Sequence, residues 1–153
     1  MPYTSTRMAI LQTLLTRLSA ITQVGGYLTD AGDQVYLGEA PALGPDDPDA
    51  AIAILVGDED PNWQGSGRAC VIKLPLTLQA VAKTEIDGAW LMVEALLADA
   101  KRAIETADVD LGGLLTGPLA RGPVTTLPRE TGSLTVGASV GYTATFKEGW
   151  GTP

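Results

Sequence analysis

The sequence predicts an α+β domain: a mainly antiparallel or mixed sheet of about four to six strands with two main helices packed on one face. Three observations carry this expectation. Two segments repeat apolar residues at three- and four-residue steps, the mark of one-sided helices. Two others alternate at period two, as half-buried strands do. The order is helix, strands, helix, strand, which lacks the regular alternation of a parallel βαβ sheet. A chain of 153 residues is the size of one domain, and residues 1–153 are read as such.

The first helix is expected within residues 4–21, with Met8, Leu11, Leu14, Leu15, Leu18 and Ile21 on its apolar side and Thr4, Ser5 or Thr6 as its cap. Gly25 and Gly26 stop the pattern, and residues 29–33 read as a turn into a short strand at 34–37. Residues 39–50 hold Pro41, Gly44, Pro45 and Pro48 among Asp46, Asp47 and Asp49, which predicts an exposed acidic loop. The apolar run 51–56 is a buried strand, bounded by Gly57, Asp58, Glu59, Asp60 and Pro61.

Residues 68–83 then place Cys70, Ile72, Leu74, Leu76, Leu78 and Ala80 on one face. Extended at ~3.3 Å per residue they would span roughly 50 Å, far beyond an ordinary strand, so a bend or protrusion is expected at Pro75. Asp87 is placed to cap a second helix with Trp90, Val93, Leu96, Leu97, Ala100 and Ile104 on its apolar face and Lys101 and Arg102 near its end. Residues 111–133 are so rich in Gly and Pro that an irregular or hairpin-like excursion is expected. Leu134, Val136, Ala138, Val140, Tyr142, Ala144 and Phe146 share one face of a closing strand.

Chemistry is sparse. Gly137-Ala138-Ser139-Val140-Gly141 fits the pattern of a hydrolase nucleophile elbow. It lies inside an alternating strand, however, and the chain contains no histidine to take the serine proton. The single cysteine, Cys70, can form no intrachain disulfide and sits on an apolar strand face, where it reads as core. The acidic groups at 46–49 and 58–60 lack the spacing of a calcium loop and read as solvated loops. Gly65-Ser66-Gly67-Arg68 has no lysine at phosphate-loop spacing and reads as a turn. No catalytic, cofactor-binding or metal-binding residue is assigned. A formal charge of −8 opposes wrapping nucleic acid or lying on an anionic membrane, and no stretch approaches the ~18 apolar residues of a membrane span. Production and use in the cytoplasm are expected.

Taken in order, several segments resemble the tail terminator (tail completion) proteins of long-tailed bacteriophages and gene transfer agents. They are Ile21-Thr22-Gln23-Val24-Gly25-Gly26-Tyr27, Asp30-Ala31-Gly32 before Val35-Tyr36-Leu37-Gly38, and Ile52-Ala53-Ile54-Leu55-Val56-Gly57-Asp58-Glu59. The long strand, the helix at 90–104 and Val140-Gly141-Tyr142 continue the order across nearly the whole chain.

The resemblance implies a structural subunit of the virion tail–neck junction, assembled in the host cytoplasm. It would form a homo-oligomeric ring, a hexamer in the family, that caps the tail tube protein and docks the head–tail connector. DNA would be passing cargo in a channel expected to be partly acidic. On this view the segment around Pro75 and residues 111–133 find their partners on another molecule. The candidate interface residues are Trp63, Arg68, Pro75, Leu114, Leu115, Leu119, Arg121 and Trp150. Competing expectations are another neck or head–tail completion protein, or a small ligand- or protein-binding module of a bacterial cell using the uncovered sheet face. An enzyme based on acidic residues is a third, disfavoured by acids that lie mostly in Gly/Pro loops.

Overall fold

The computed structural model describes residues 4–40, 42–65 and 67–153; Pro41 of the predicted acidic loop and Ser66 of the predicted turn lie outside them. The elements are α1 (Thr6–Ser19), β1 (Val35–Leu37), β2 (Ala50–Val56), β3 (Asp60–Gln64), β4 (Ala69–Lys83), α2 (Ala89–Glu105), β5 (Ala120–Leu127) and β6 (Thr135–Gly149), with a short 3-10 turn at Ala31–Gln34. The strands form one mixed six-stranded sheet in the order β1-β2-β4-β6-β5, with β3 paired to β4 beside that path. β1 runs parallel to β2, and the other pairs are antiparallel.

The centre is a ladder in which β4 and β6, each 15 residues long, pair from Ala69↔Gly149 to Lys83↔Thr135. On its other side β4 is served twice. β2 pairs with its second half, Ala50↔Ala82 to Val56↔Leu76, and β3 with its first, Asp60↔Lys73 to Gln64↔Ala69. The long strand therefore finds its partners within its own chain, contrary to the expectation of a protruding segment.

Pro75 marks the seam between β2 and β3. Its carbonyl accepts from the Gly57 amide at 2.8 Å, and in a strand the N and O of one residue point the same way. The missing N–H of proline thus faces the gap between the two short strands, where no ladder bond is lost. Gly57 suits that gap, since a Cβ there would lie 2.7 Å from Pro75 Cγ. β3 itself was expected to be loop. Its Asp-Pro-Asn-Trp-Gln has no alternation of apolar residues, and what makes it a strand is the otherwise bare edge of β4.

Both helices cover one face, as the apolar patterns require. Ile10, Leu14 and Leu18 of α1, and Val93, Leu96, Leu97, Ala100 and Ile104 of α2, are buried with Ile52, Ile54 and the even-numbered apolar residues of β4 and β6. Full burial of each large aliphatic side chain contributes about 1.5–3 kcal/mol. Some expected core positions are exposed instead. Met8 and Trp90 each lie in the first turn of their helix, and Leu134 precedes β6. Ser5 caps α1 by accepting from the Met8 amide. Asp87 does not cap α2, whose N-cap is Gly88 in a left-handed conformation.

Residues 111–133 contain the eight-residue strand β5, which forms the hairpin-like part of the expected excursion and pairs with β6 as an edge strand. The acidic loop is also more anchored than predicted. Leu43 is buried against Ala51 and Val81 on the second sheet face, with Tyr36 and Ala40 packed beside it. Asp47 accepts from the Gly44 amide through its carboxylate, and its carbonyl takes the Nζ of the buried Lys83 at 2.7 Å. Asp49 lies 3.6 Å from the same ammonium.

One buried carboxylate escaped the sequence reading. Asp99 of α2 is 1% exposed and accepts from the Leu28 amide (2.9 Å), the Thr29 amide (2.8 Å) and the Thr29 hydroxyl (2.7 Å). It fastens the loop after α1 to the middle of α2. Arg102 reinforces this by donating to the Gly26 carbonyl and lying 4.9 Å from the centre of the Tyr27 ring. Arg17 donates to the carbonyls of Ile104 (2.9 Å) and Asp108 (3.2 Å), capping the end of α2 from α1. Asp99→Ala should cost about 2–4 kcal/mol by leaving these donors unpaired, and Asp99→Asn less because one acceptor oxygen remains. Denaturant unfolding measures the cost, and faster amide exchange at Leu28 and Thr29 localises it.

Candidate protein-protein interface

The predicted interface residues fall into three places. The first is the end of the sheet where β3 and the start of β4 meet the end of β6. Directly opposed residues share a sheet face, so Trp63, Cys70 and Glu148 form a row on the helix side. Cys70 is buried, but α1 and α2 do not reach far enough to cover Trp63, which stays 49% exposed.

Just beyond β6 the Trp150 amide donates to the Arg68 carbonyl at 2.9 Å, and a turn bonds Thr152 back to Gly149. This places the Trp150 indole against Trp63, with ring centroids 5.6 Å apart and planes tilted by 54°. Trp150 remains 76% exposed. Two large aromatic surfaces from distant parts of the sequence thus form one patch, with Arg68 exposed beside it. Trp63 belongs to β3, a strand that the apolar pattern does not predict.

Charge collects at the same end. Arg7 of α1 pairs with Glu59, which precedes β3. Glu148 has its carboxyl pushed above the ordinary range, first by burial and then by the negative charge of Glu59, with Arg7 pulling the other way. None of this was legible from spacing, because the three residues come from three separate elements.

The second place is the end of α2 against β5. The buried Tyr142 hydroxyl donates to Glu105 at 2.6 Å, and Arg121 lies 3.4 Å from the same carboxylate. Burial and then the Glu105 hydrogen bond hold the tyrosine proton well above its usual range. This links β6, α2 and β5 and sets the direction of Arg121. A cleft of about 340 Å³ lies here, lined by Ile104, Glu105, Val109, Leu119 and Arg121. Leu114 and Leu119 are partly buried and pack on the core. Leu115 is a correction: it is buried in the core and offers no contact surface.

The third place is the sheet face away from the helices, where Pro75 is exposed in mid-strand. The structure does not bring Pro75 together with either of the other groups. Ser139 lies on the same face, half-buried and opposite Gln79, as a strand residue. Among the described residues, no group of three or more His, Cys, Asp or Glu side chains is placed to hold a metal ion, and no helix is long and apolar enough to cross a membrane.

No protein-family model matches the chain, and the search of curated proteins gives no match. Geometry and sequence pattern therefore carry the functional reading.

The Glu148 environment has a consequence for stability. Its carboxyl binds a proton more readily in the folded than in the unfolded chain, so ionisation near neutral pH opposes folding. Glu148→Gln should raise the unfolding midpoint at neutral pH. The gain should vanish as the pH falls below the ordinary carboxyl range, where both states hold the proton. Thermal unfolding of the two proteins across pH checks this.

Proposed function

We propose that this chain is a structural tail terminator subunit of a tailed bacteriophage or related particle. It assembles with copies of itself, binds the end of the completed tail tube and provides the docking face for the head connector. The observation that carries the reading is the Trp63–Trp150 patch. Tryptophan is among the residues that most often anchor protein contacts, and two adjoining indoles are costly to leave in water unless a partner covers them. The segment order described above supplies the particular family, and the acidic chain suits a channel through which DNA slides without sticking.

A second feature agrees. The patch, the β5 edge and the Pro75 face are different surfaces on one small subunit, and a ring that also meets a tube below and a connector above needs unlike surfaces. Because β4 is satisfied within its own chain, the exposed side chains at the end of the sheet are the features that support assembly.

The test uses purified protein and tail tubes of the same particle. The parent protein should form rings and decorate tube ends in electron micrographs. Trp63→Ala with Trp150→Ala should lower that binding at least tenfold while shifting the unfolding midpoint only slightly, since the indole pair contributes about 0.5–1.5 kcal/mol beyond its area. Unchanged tube binding by a folded double variant would remove the patch from the mechanism, and a parent that ignores tube ends would end the tail terminator reading.

A further inference from the structure

We infer that copies of this chain join head to tail by seating Trp150 of one copy in the cleft between α2 and the segment after α1 of the next. The inference deepens the self-assembly part of the reading above and rests on it. The cleft has a volume of about 320 Å³. Leu28, Ala31, Pro48, Met92 and Leu96 give it apolar walls, and Asp30 and Asp49 are the charged residues that line it. Clefts that seat small ligands run from ~300 to ~1,000 Å³, so this one suits a single large side chain better than a folded segment. Its shape is set in advance. Asp99 holds the Leu28 and Thr29 amides, and Leu28 stands 63% exposed at the wall so fixed.

Trp150 has the matching form. It is 76% exposed, its amide is tied to the Arg68 carbonyl, the turn from Gly149 to Thr152 closes around it, and Trp63 backs its ring. A large side chain held this way before contact gives up little rotamer freedom when it is covered. Charge agrees. Asp30 spends one carboxylate oxygen on the Gln23 amide, and Asp49 keeps 74% of its side chain in water although Lys83 lies 3.6 Å away. Beside Trp150, Arg7 is paired with Glu59, whereas Arg68 is exposed and takes part in none of the ion pairs among the described residues. An entering indole therefore brings a free guanidinium to an acidic rim, and its own N–H meets carboxylate or glutamine oxygens there. Patch against patch would set Arg68 against Arg68, and cleft against cleft would set carboxylates together.

Placement favours a chain of contacts over a closed pair. Trp63 opposes Cys70, while Ala50, which lines the cleft, opposes Ala82. The indoles and the cleft thus stand at opposite ends of β4, roughly 40 Å apart at ~3.3 Å per residue. The helix layer fills the space between them, so two copies laid face to face would meet helix against helix before either indole reached a cleft. Two unlike surfaces on one subunit propagate and close a ring.

Trp150→Ala and Leu28→Arg test the pairing. Both positions are exposed, and circular dichroism and thermal unfolding confirm that each variant is folded. Solution mass across concentration should show the parent assembling beyond a dimer and each variant near the 15.9 kDa monomer, with association at least tenfold weaker. A cross-link reads the geometry. Leu28→Cys and Thr152→Cys proteins, mixed under mild oxidation, should give a disulfide-linked dimer of one copy each, neither should link alone, and a chain carrying both should give a ladder. Cys70 is buried and stays out of the reaction. A parent that stops at monomer or dimer, a folded variant that assembles like the parent, or single-cysteine proteins that link to themselves as readily as to each other overturns the pairing. If Leu28→Arg weakens tube binding and leaves assembly intact, the cleft belongs to the tube protein and the pairing falls as well. The two ideas fail separately. Parent rings that cap tubes and ignore both substitutions would sink the pairing and leave the tail terminator reading. Assembly through indole and cleft by a protein that ignores tubes would do the reverse.

Discussion

The constraint on which the rest depends is the antiparallel ladder between two strands of 15 residues each. A ladder of that length sets every even-numbered residue from Cys70 to Ala82, and from Val136 to Phe146, on one face. Two amphipathic helices then have a single surface on which to bury their stripes. A one-residue slip between the strands would turn both apolar rows to water, so the register is held by burial along its whole length. The helices are shorter than the sheet is long, and part of the helix-side face is left beyond their reach. Trp63 stands there.

Around that frame, buried polar groups tie loops to regular elements. Asp99 holds the loop after α1, Lys83 holds the acidic loop, and Arg17 closes the end of α2. Each bond joins residues far apart in sequence and costs free energy if one partner is removed. The exposed indoles of Trp63 and Trp150 lie away from these ties, at the end of the sheet.

Much was legible in the sequence. The long strands, the second helix and the class of fold follow from periodicity, because burial on one face imposes period two on a strand and 3.6 on a helix. The structure departs from the sequence pattern where periodicity is silent. β3 has no apolar rhythm and exists because β4 offers it an edge. Met8, Trp90 and Leu134 belong to apolar patterns but lie in the first turn of a helix or just before a strand begins. The Gly-rich neighbourhood of Leu115 resembles a surface loop, yet the fold returns it to the core.

By itself the sequence determined that a one-sided sheet with two covering helices would form, that no histidine chemistry was available, and that the surface would be acidic. Tertiary structure decided how the long strand is satisfied, which of the marked residues reach water, and that Trp63 and Trp150 touch across 87 residues of chain. The physical reason is that hydrophobic pattern specifies which face of an element is buried. Where elements end relative to one another, and hence what they leave uncovered, is settled only when the strands have paired and the helices have been laid across them.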